Sequence, residues 1–230
     1  LVHHYRRYLF YAFGFFIVFT LIGFISAYYD KEFVRIILGD EYVNKTIENI
    51  EKGNAVGVYQ QGSNWGTSIA IIFNNLKVGA VLFIYGVFGG VGTLYALLQN
   101  SIMLGSFQYF FHEHGALKES AKGIWMHGVF EIFSMVVEAM AGLILGASLL
   151  FPKTYSRFNS FKLGFKDAFK IFLSTVPFTI MAGIIEGYFT RYALQMPGFL
   201  NAFLIFGTLS FIAFYYFVYP YFVSKKHHEI

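Results

Sequence analysis

The chain is 230 residues long with a net charge of +4, contains no cysteine, and is 57% hydrophobic, 21% aromatic and only 13% charged. A soluble domain keeps about a quarter of its residues charged, so a water-facing globular fold is excluded and lipid is the expected solvent. The missing cysteine excludes disulfides and thiolate metal sites. No basic helix carries interleaved aromatics, which excludes a nucleic-acid binder. The positive balance instead follows topology, because Lys and Arg cluster beside the ends of apolar runs.

The chain opens at Leu1 with a basic-aromatic stretch (His3, His4, Arg6, Arg7), and the expectation is that a longer N-terminal part precedes it. The apolar run Tyr8 to Ala27 exceeds the roughly 7–15 residues of a signal-peptide core. It is read as a retained first span, from about Tyr8 to Tyr28. The only extended polar region follows, Asp30 to Gly66. In it Asp40 is the expected N-cap of a helix ending near Gly53–Asn54, with Glu41/Lys45 and Glu48/Lys52 as i,i+4 pairs. Phe33, Ile36, Ile37, Ile47 and Ile50 give the region apolar faces. It is expected to be an amphipathic segment on the membrane surface, with a solvated helical loop as the alternative.

From Ile69 to Phe111 the chain is apolar over about twice the length of one span. Gly86, Gly89, Gly90 and Gly92 lie near its centre, and Asn74, Asn75, Lys77, Gln99, Asn100 and Gln108 interrupt it. Two spans broken near the glycines, or one span and a re-entrant segment, both fit. Further apolar blocks run from Gly123 to Phe151, from Ala168 to Thr190 around Pro177, and from Phe199 to Phe222 with a belt of Tyr215, Tyr216, Tyr219 and Tyr221. Arg6 and Arg7, the loop 152–166 with Lys153, Arg157, Lys162 and Lys166, and Lys225 and Lys226 form the basic segments. Placing all of them in the cytoplasm requires an even number of crossings. The expected fold is therefore an all-α transmembrane helical bundle in one domain, 1–230, with about six crossings; five plus a re-entrant segment is the alternative. Both termini are expected inside and residues 29–66 outside.

Ionisable groups inside spans are costly and face the bundle interior. At about 100° per residue, His127, Glu131 and Glu138 fall within roughly 40° of one another, with Ser134 near the same stripe. Thr175, Thr179, Gly183, Glu186 and Thr190 share a face of the next block. The two stripes predict a polar core between neighbouring helices. That core fits hydrogen-bonded glue between helices, a proton or cation relay, or a metal for hydrolysis. The third has the least support, because HExxH and its inverse are absent, and no metal or cofactor is expected. The triplet His112, Glu113, His114 reads as a wet interfacial loop. The four-residue spacings Gly86/Gly90, Gly142/Gly146 and Gly183/Gly187 predict close helix packing within the bundle or between subunits.

Asn74-Asn75, Gly92-Thr93, Leu98-Gln99-Asn100 and Met103-Leu104-Gly105 are followed by His127-Gly128-x-x-Glu131, Gly142, Leu150-Phe151-Pro152 and Ala182-Gly183-x-x-Glu186-Gly187. In this order, over roughly residues 70–190, they resemble the stage II sporulation protein M family of integral membrane proteins. Ser101 departs from the family's glycine. Ile37-Leu38-Gly39-Asp40 and Tyr42-Val43-Asn44 resemble the longer branch found in non-sporulating, Bacteroidetes-like bacteria. In spore formers the namesake anchors a peptidoglycan-degrading complex whose partners carry the hydrolytic activity. The resemblance thus implies a non-catalytic scaffold of the bacterial cytoplasmic membrane, contacting lipid and other membrane or envelope proteins, while the glycine spacings leave a homo-oligomer open beside packing within the bundle. The alternative is a proton- or cation-coupled transporter or channel using the polar core.

Overall fold

The computed structural model describes residues 1–55, 57 and 63–228, and among these no strand occurs. The helices are α1 (Arg6–Tyr29), α2 (Lys31–Leu38), α3 (Asp40–Glu51), α4 (Asn64–Ile84), α5 (Val91–Glu113), α6 (Leu117–Leu150), α7 (Arg157–Tyr188), α8 (Gly198–Ala213) and α9 (Tyr219–His228). Five rods are long and apolar enough to cross a membrane: α1, α4 with the turn after it, α6, α7 with the turn after it, and α8 running through into α9. The sixth rod, α5, is 23 residues long, about 34 Å at 1.5 Å per residue. Its first residues lie by the end of α6, where Gly90 meets Gly146. Its last, Glu113, pairs with Lys31 at 2.6 Å. It therefore runs from one end of the bundle to the other and is no re-entrant half-helix.

Successive rods alternate in direction. His127 bonds Thr190 and Glu138 bonds Thr175, so α6 and α7 are antiparallel. Asn75 bonds Glu131 and Gly86 meets Gly142, so α4 and α6 are parallel. Tyr5 donates to Asp167 Oδ2 at 2.9 Å, and His3 lies beside Tyr221, which brings the N-terminus, the start of α7 and α9 to one end. Burial, with Asp167 alongside, pushes the Tyr5 phenol up to about 12, so it stays a donor.

The helix α6 is the axle. Its apolar and small residues are buried on every side, as a helix surrounded by others requires, and the core around Leu97, Phe130, Met140, Leu145 and Ile171 forms on it. A second cluster fixes the polar region. Val34 of α2 and Val43 of α3 bury against Ala27, Phe110 and Phe111, so these amphipathic helices dock on the ends of α1 and α5.

Several boundaries differ from the sequence reading. The first turns of α7 occupy most of the expected loop 152–166, because the Ser156 side chain caps the helix by accepting from the Asn159 amide at 3.3 Å. Phe161, Phe165 and Phe169 then form a ladder against Phe83. Asp40 is the first residue of α3 and not its cap, since Gly39 takes the capping position at φ 85°. Its carboxylate pairs with Arg35 at 2.8 Å, and the aspartate that does cap a helix is Asp30, which starts α2 by accepting from the Glu32 amide. Glu48 pairs with Lys52, which pulls the Glu48 carboxyl below its ordinary value. Pro177 lies inside an unbroken α7. Residues 214–218 form a π turn in the last rod, and Tyr216 there meets Ser174 Oγ at 2.9 Å.

Gly89 and Gly90 are consecutive residues at positive φ, 66° and 85°. This conformation suits only glycine at low cost, and it reverses the chain between α4 and α5. Thr93 locks the reversal by donating to the Leu82 carbonyl at 2.8 Å. A Cβ on Gly86 would fall on the Gly142 carbonyl, and one on Gly142 on the Leu82 carbonyl. Gly86→Ala and Gly142→Ala are each expected to destabilise by about 1–3 kcal/mol through overpacking, lowering the thermal midpoint in detergent or lipid. Gly14→Ala, where a Cβ meets nothing within 4 Å, is expected to leave that midpoint in place.

Candidate functional site

Three ionisable side chains of α6 (His127, Glu131 and Glu138) and Glu186 of α7 border the same sector, where α4 and α7 approach α6. His127 and Glu138 are 2% and 3% exposed, and Glu131 and Glu186 are partly buried. His127 lies ten residues into α6, about 15 Å from its start. Its Nδ1 is 2.9 Å from Thr190 Oγ1. The Thr190 hydroxyl has the Ile185 carbonyl at 3.4 Å and the Gly123 carbonyl at 3.5 Å to donate to. When the hydroxyl donates to either carbonyl, its oxygen accepts from Nδ1–H, the tautomer in which Nε2 is the acceptor of the ring. Nε2 faces Glu186 Oε2 at 3.9 Å.

Glu131, one turn further along α6, completes a compact group. Ligand-type atoms of His127, Glu131 and Glu186 all lie within 4.8 Å of one another. Asn75 of α4 donates its side-chain N–H to Glu131 Oε1. Glu138, two turns deeper, accepts from Thr175 Oγ1 at 2.8 Å. Two cavities border the group. One, of about 330 Å³, is lined by Leu38, Tyr42, Met103, His127, Glu131 and Glu186. The other, of about 180 Å³, is lined by Asn75, Asn100, Glu131, Ser134, Glu138 and Thr179. Glu131 borders both, and the buried Ser134 Oγ in the inner one has no hydrogen-bond partner.

The remaining sequence candidates divide by position. Asn74 lines the inner cavity from an exposed place on α4. Asn100 also lines it, but donates to the Ala96 carbonyl of its own helix at 2.8 Å. Past Glu138 the polar sector ends in glycine. A Cβ on Gly79 would strike the Glu138 carboxyl, Gly86 meets Gly142, and Gly146 meets the Gly89–Gly90 turn. Gly183 and Gly187 bring α7 against Ile72 and Ser68 of α4. Glu113 and His114 hold the end of α5, through Lys31 at 2.6 Å and the Phe110 carbonyl at 2.8 Å.

Two residues at or near the site were missed in the sequence. Tyr42 reaches the outer cavity from the surface helix α3, and burial pushes its phenol up to about 12, so it remains a neutral O–H. No periodicity of α3 signals that contact. Asn201 of α8 donates to the Lys122 carbonyl at 2.8 Å and ties the last rod to the top of α6. A lone amide near the start of an apolar run was the available signal.

Compared with known proteins, the family model for stage II sporulation protein M matches residues 12–191. No curated protein and no solved structure matches the chain. The Asn75–Glu131 pair gives the measurable test of the polar core. In a double-mutant cycle of Asn75→Ala with Glu131→Gln, the expected coupling is about 0.6 kcal/mol, the mean for interhelical bonds in membranes, and at most about 1.7. Unfolding titrations in mixed micelles read it, and a coupling of zero would show that the bond holds nothing.

Proposed function

The chain belongs to the stage II sporulation protein M family and is a multi-pass membrane protein, and from that premise we propose that it is a scaffold of the bacterial cytoplasmic membrane, organising other membrane or envelope proteins without catalysis of its own. The observation that carries this reading is the closure of the bundle beyond Glu138. There α4, α5 and α6 meet backbone to backbone at Gly86, Gly90, Gly142 and Gly146, with Leu82, Val137, Ala141 and Leu145 buried around them. Between α4, α5 and α6 the polar sector stops at this seal, which suits a packed frame better than a conduit along these three helices. The end holding Arg6, Arg7, Lys153 and Arg157 is the cytoplasmic one by the positive-inside rule. That leaves α2 and α3 on the outer face, available to envelope partners.

Extraction of the native protein from its own membrane in mild detergent is expected to recover it with partner proteins in stable ratio. Recovery as a lone species under every mild condition would overturn the scaffold reading. A second reading, a proton or cation relay, is favoured by one observation: Glu131 stands between the two cavities. Reconstituted liposomes separate the readings. The scaffold is expected to give no more ion or proton flux than empty vesicles. Flux abolished by Glu131→Gln, with helical content kept, would establish the relay instead.

A further inference from the structure

The geometry points to a binding site for one divalent transition-metal ion, held by His127, Glu131 and Glu186 between α6 and α7. The site is independent of the scaffold reading. His127 and Glu131 are four residues apart on α6, one helical turn, so they form a two-point chelate on a single face. Glu186 supplies the third ligand from the antiparallel α7, and the three ligand atoms already lie within 4.8 Å of one another. Around a tetrahedral ion with bonds of about 2.0–2.1 Å, ligand atoms sit about 3.4 Å apart. Rotation of the two glutamate side chains, both bordering the 330 Å³ cavity, covers that difference.

Three further features are those of a built site. Thr190 holds His127 Nδ1 at 2.9 Å and leaves Nε2 facing Glu186, the arrangement in which a partner on one ring nitrogen orients the other toward a metal. Asn75 orients Glu131 in the same way. The charge also balances. Two carboxylates this close inside an apolar bundle repel each other, and a dication with a neutral imidazole cancels them to zero, the least costly total in lipid. The cavity beside the group has room for a water as fourth ligand. One imidazole with two carboxylates suits Zn²⁺, Mn²⁺, Fe²⁺ or Co²⁺, whereas Mg²⁺ and Ca²⁺ favour oxygen alone.

The test uses the full chain in lipid nanodiscs, with His3, His4, His227 and His228 replaced by alanine to remove terminal metal binding. After chelator treatment and desalting, Zn²⁺ is expected to bind at one ion per chain. Co²⁺ is expected to give visible ligand-field bands that Zn²⁺ bleaches. His127→Ala and Glu186→Gln are expected to abolish both signals, Thr190→Val to weaken affinity about 10–100-fold, and Glu48→Gln on the exposed face of α3 to change nothing. Zn²⁺, but not Mg²⁺, is expected to raise the thermal midpoint of the otherwise unaltered chain, a readout that needs no site variant to fold. Absence of stoichiometric Zn²⁺ and of the Co²⁺ bands would overturn the site, leaving the group to be held by a proton. Retention of full affinity by folded His127→Ala or Glu186→Gln would overturn it equally.

Discussion

A polar group in hydrocarbon has no water to turn to, so a charged or amide side chain there calls for a partner inside the protein. The bundle is arranged around that demand. Glu131 is met by Asn75 of α4, Glu138 by Thr175 of α7, and His127 by Thr190 just beyond α7. Every one of these bonds joins α6 to a different element. The polar groups therefore fix the register of three helices, whose apolar faces would slide past one another at little cost.

Such short bonds require short distances between helices, and glycine supplies them. At Gly86 and Gly142, or Gly146 and the Gly89–Gly90 turn, backbone meets backbone, and no side chain fits between. The same glycines let Thr93 reach the Leu82 carbonyl left open where α4 ends. The bundle is thereby unequal along its length. Where α4, α5 and α6 meet it is closed by glycine contacts and aliphatic side chains, and elsewhere along α6 lie His127, Glu131 and Glu138, with Glu186 of α7 and the two cavities beside them. The amphipathic helices α2 and α3 lie over this second region, where Leu38 and Tyr42 cover the outer cavity. Close glycine packing beside a hydrogen-bonded polar sector explains how a protein can be strongly structured and still keep ionisable groups in its interior.

Much of this was legible in the residues. The i, i+4, i+11 spacing on α6 placed His127, Glu131 and Glu138 on one face because helical geometry is local and fixed. The glycine pairs signalled close approach for the same reason. What spacing could not tell was which face meets which. Asn75 and Asn100 look alike in the sequence, yet one bonds Glu131 and the other its own helix. The division depends on how α4 and α5 are rotated about their axes, which the Gly89–Gly90 turn and the Thr93 bond set. The boundary of α7 was misread because charge in 152–166 resembles a loop, while the Ser156 cap and the phenylalanine ladder carry the helix through it.

The sequence by itself determined the solvent, the helical class and the presence of buried acids, because apolar content and helical periodicity are properties of short stretches of chain. The tertiary structure decided that α5 runs the full length, that the small residues join helices of one chain, and that Glu186 comes to His127 across 59 positions. Those outcomes depend on contacts between segments far apart in the chain. The physical reason is that helix rotation and depth are chosen only when all rods pack together and satisfy one another's polar groups.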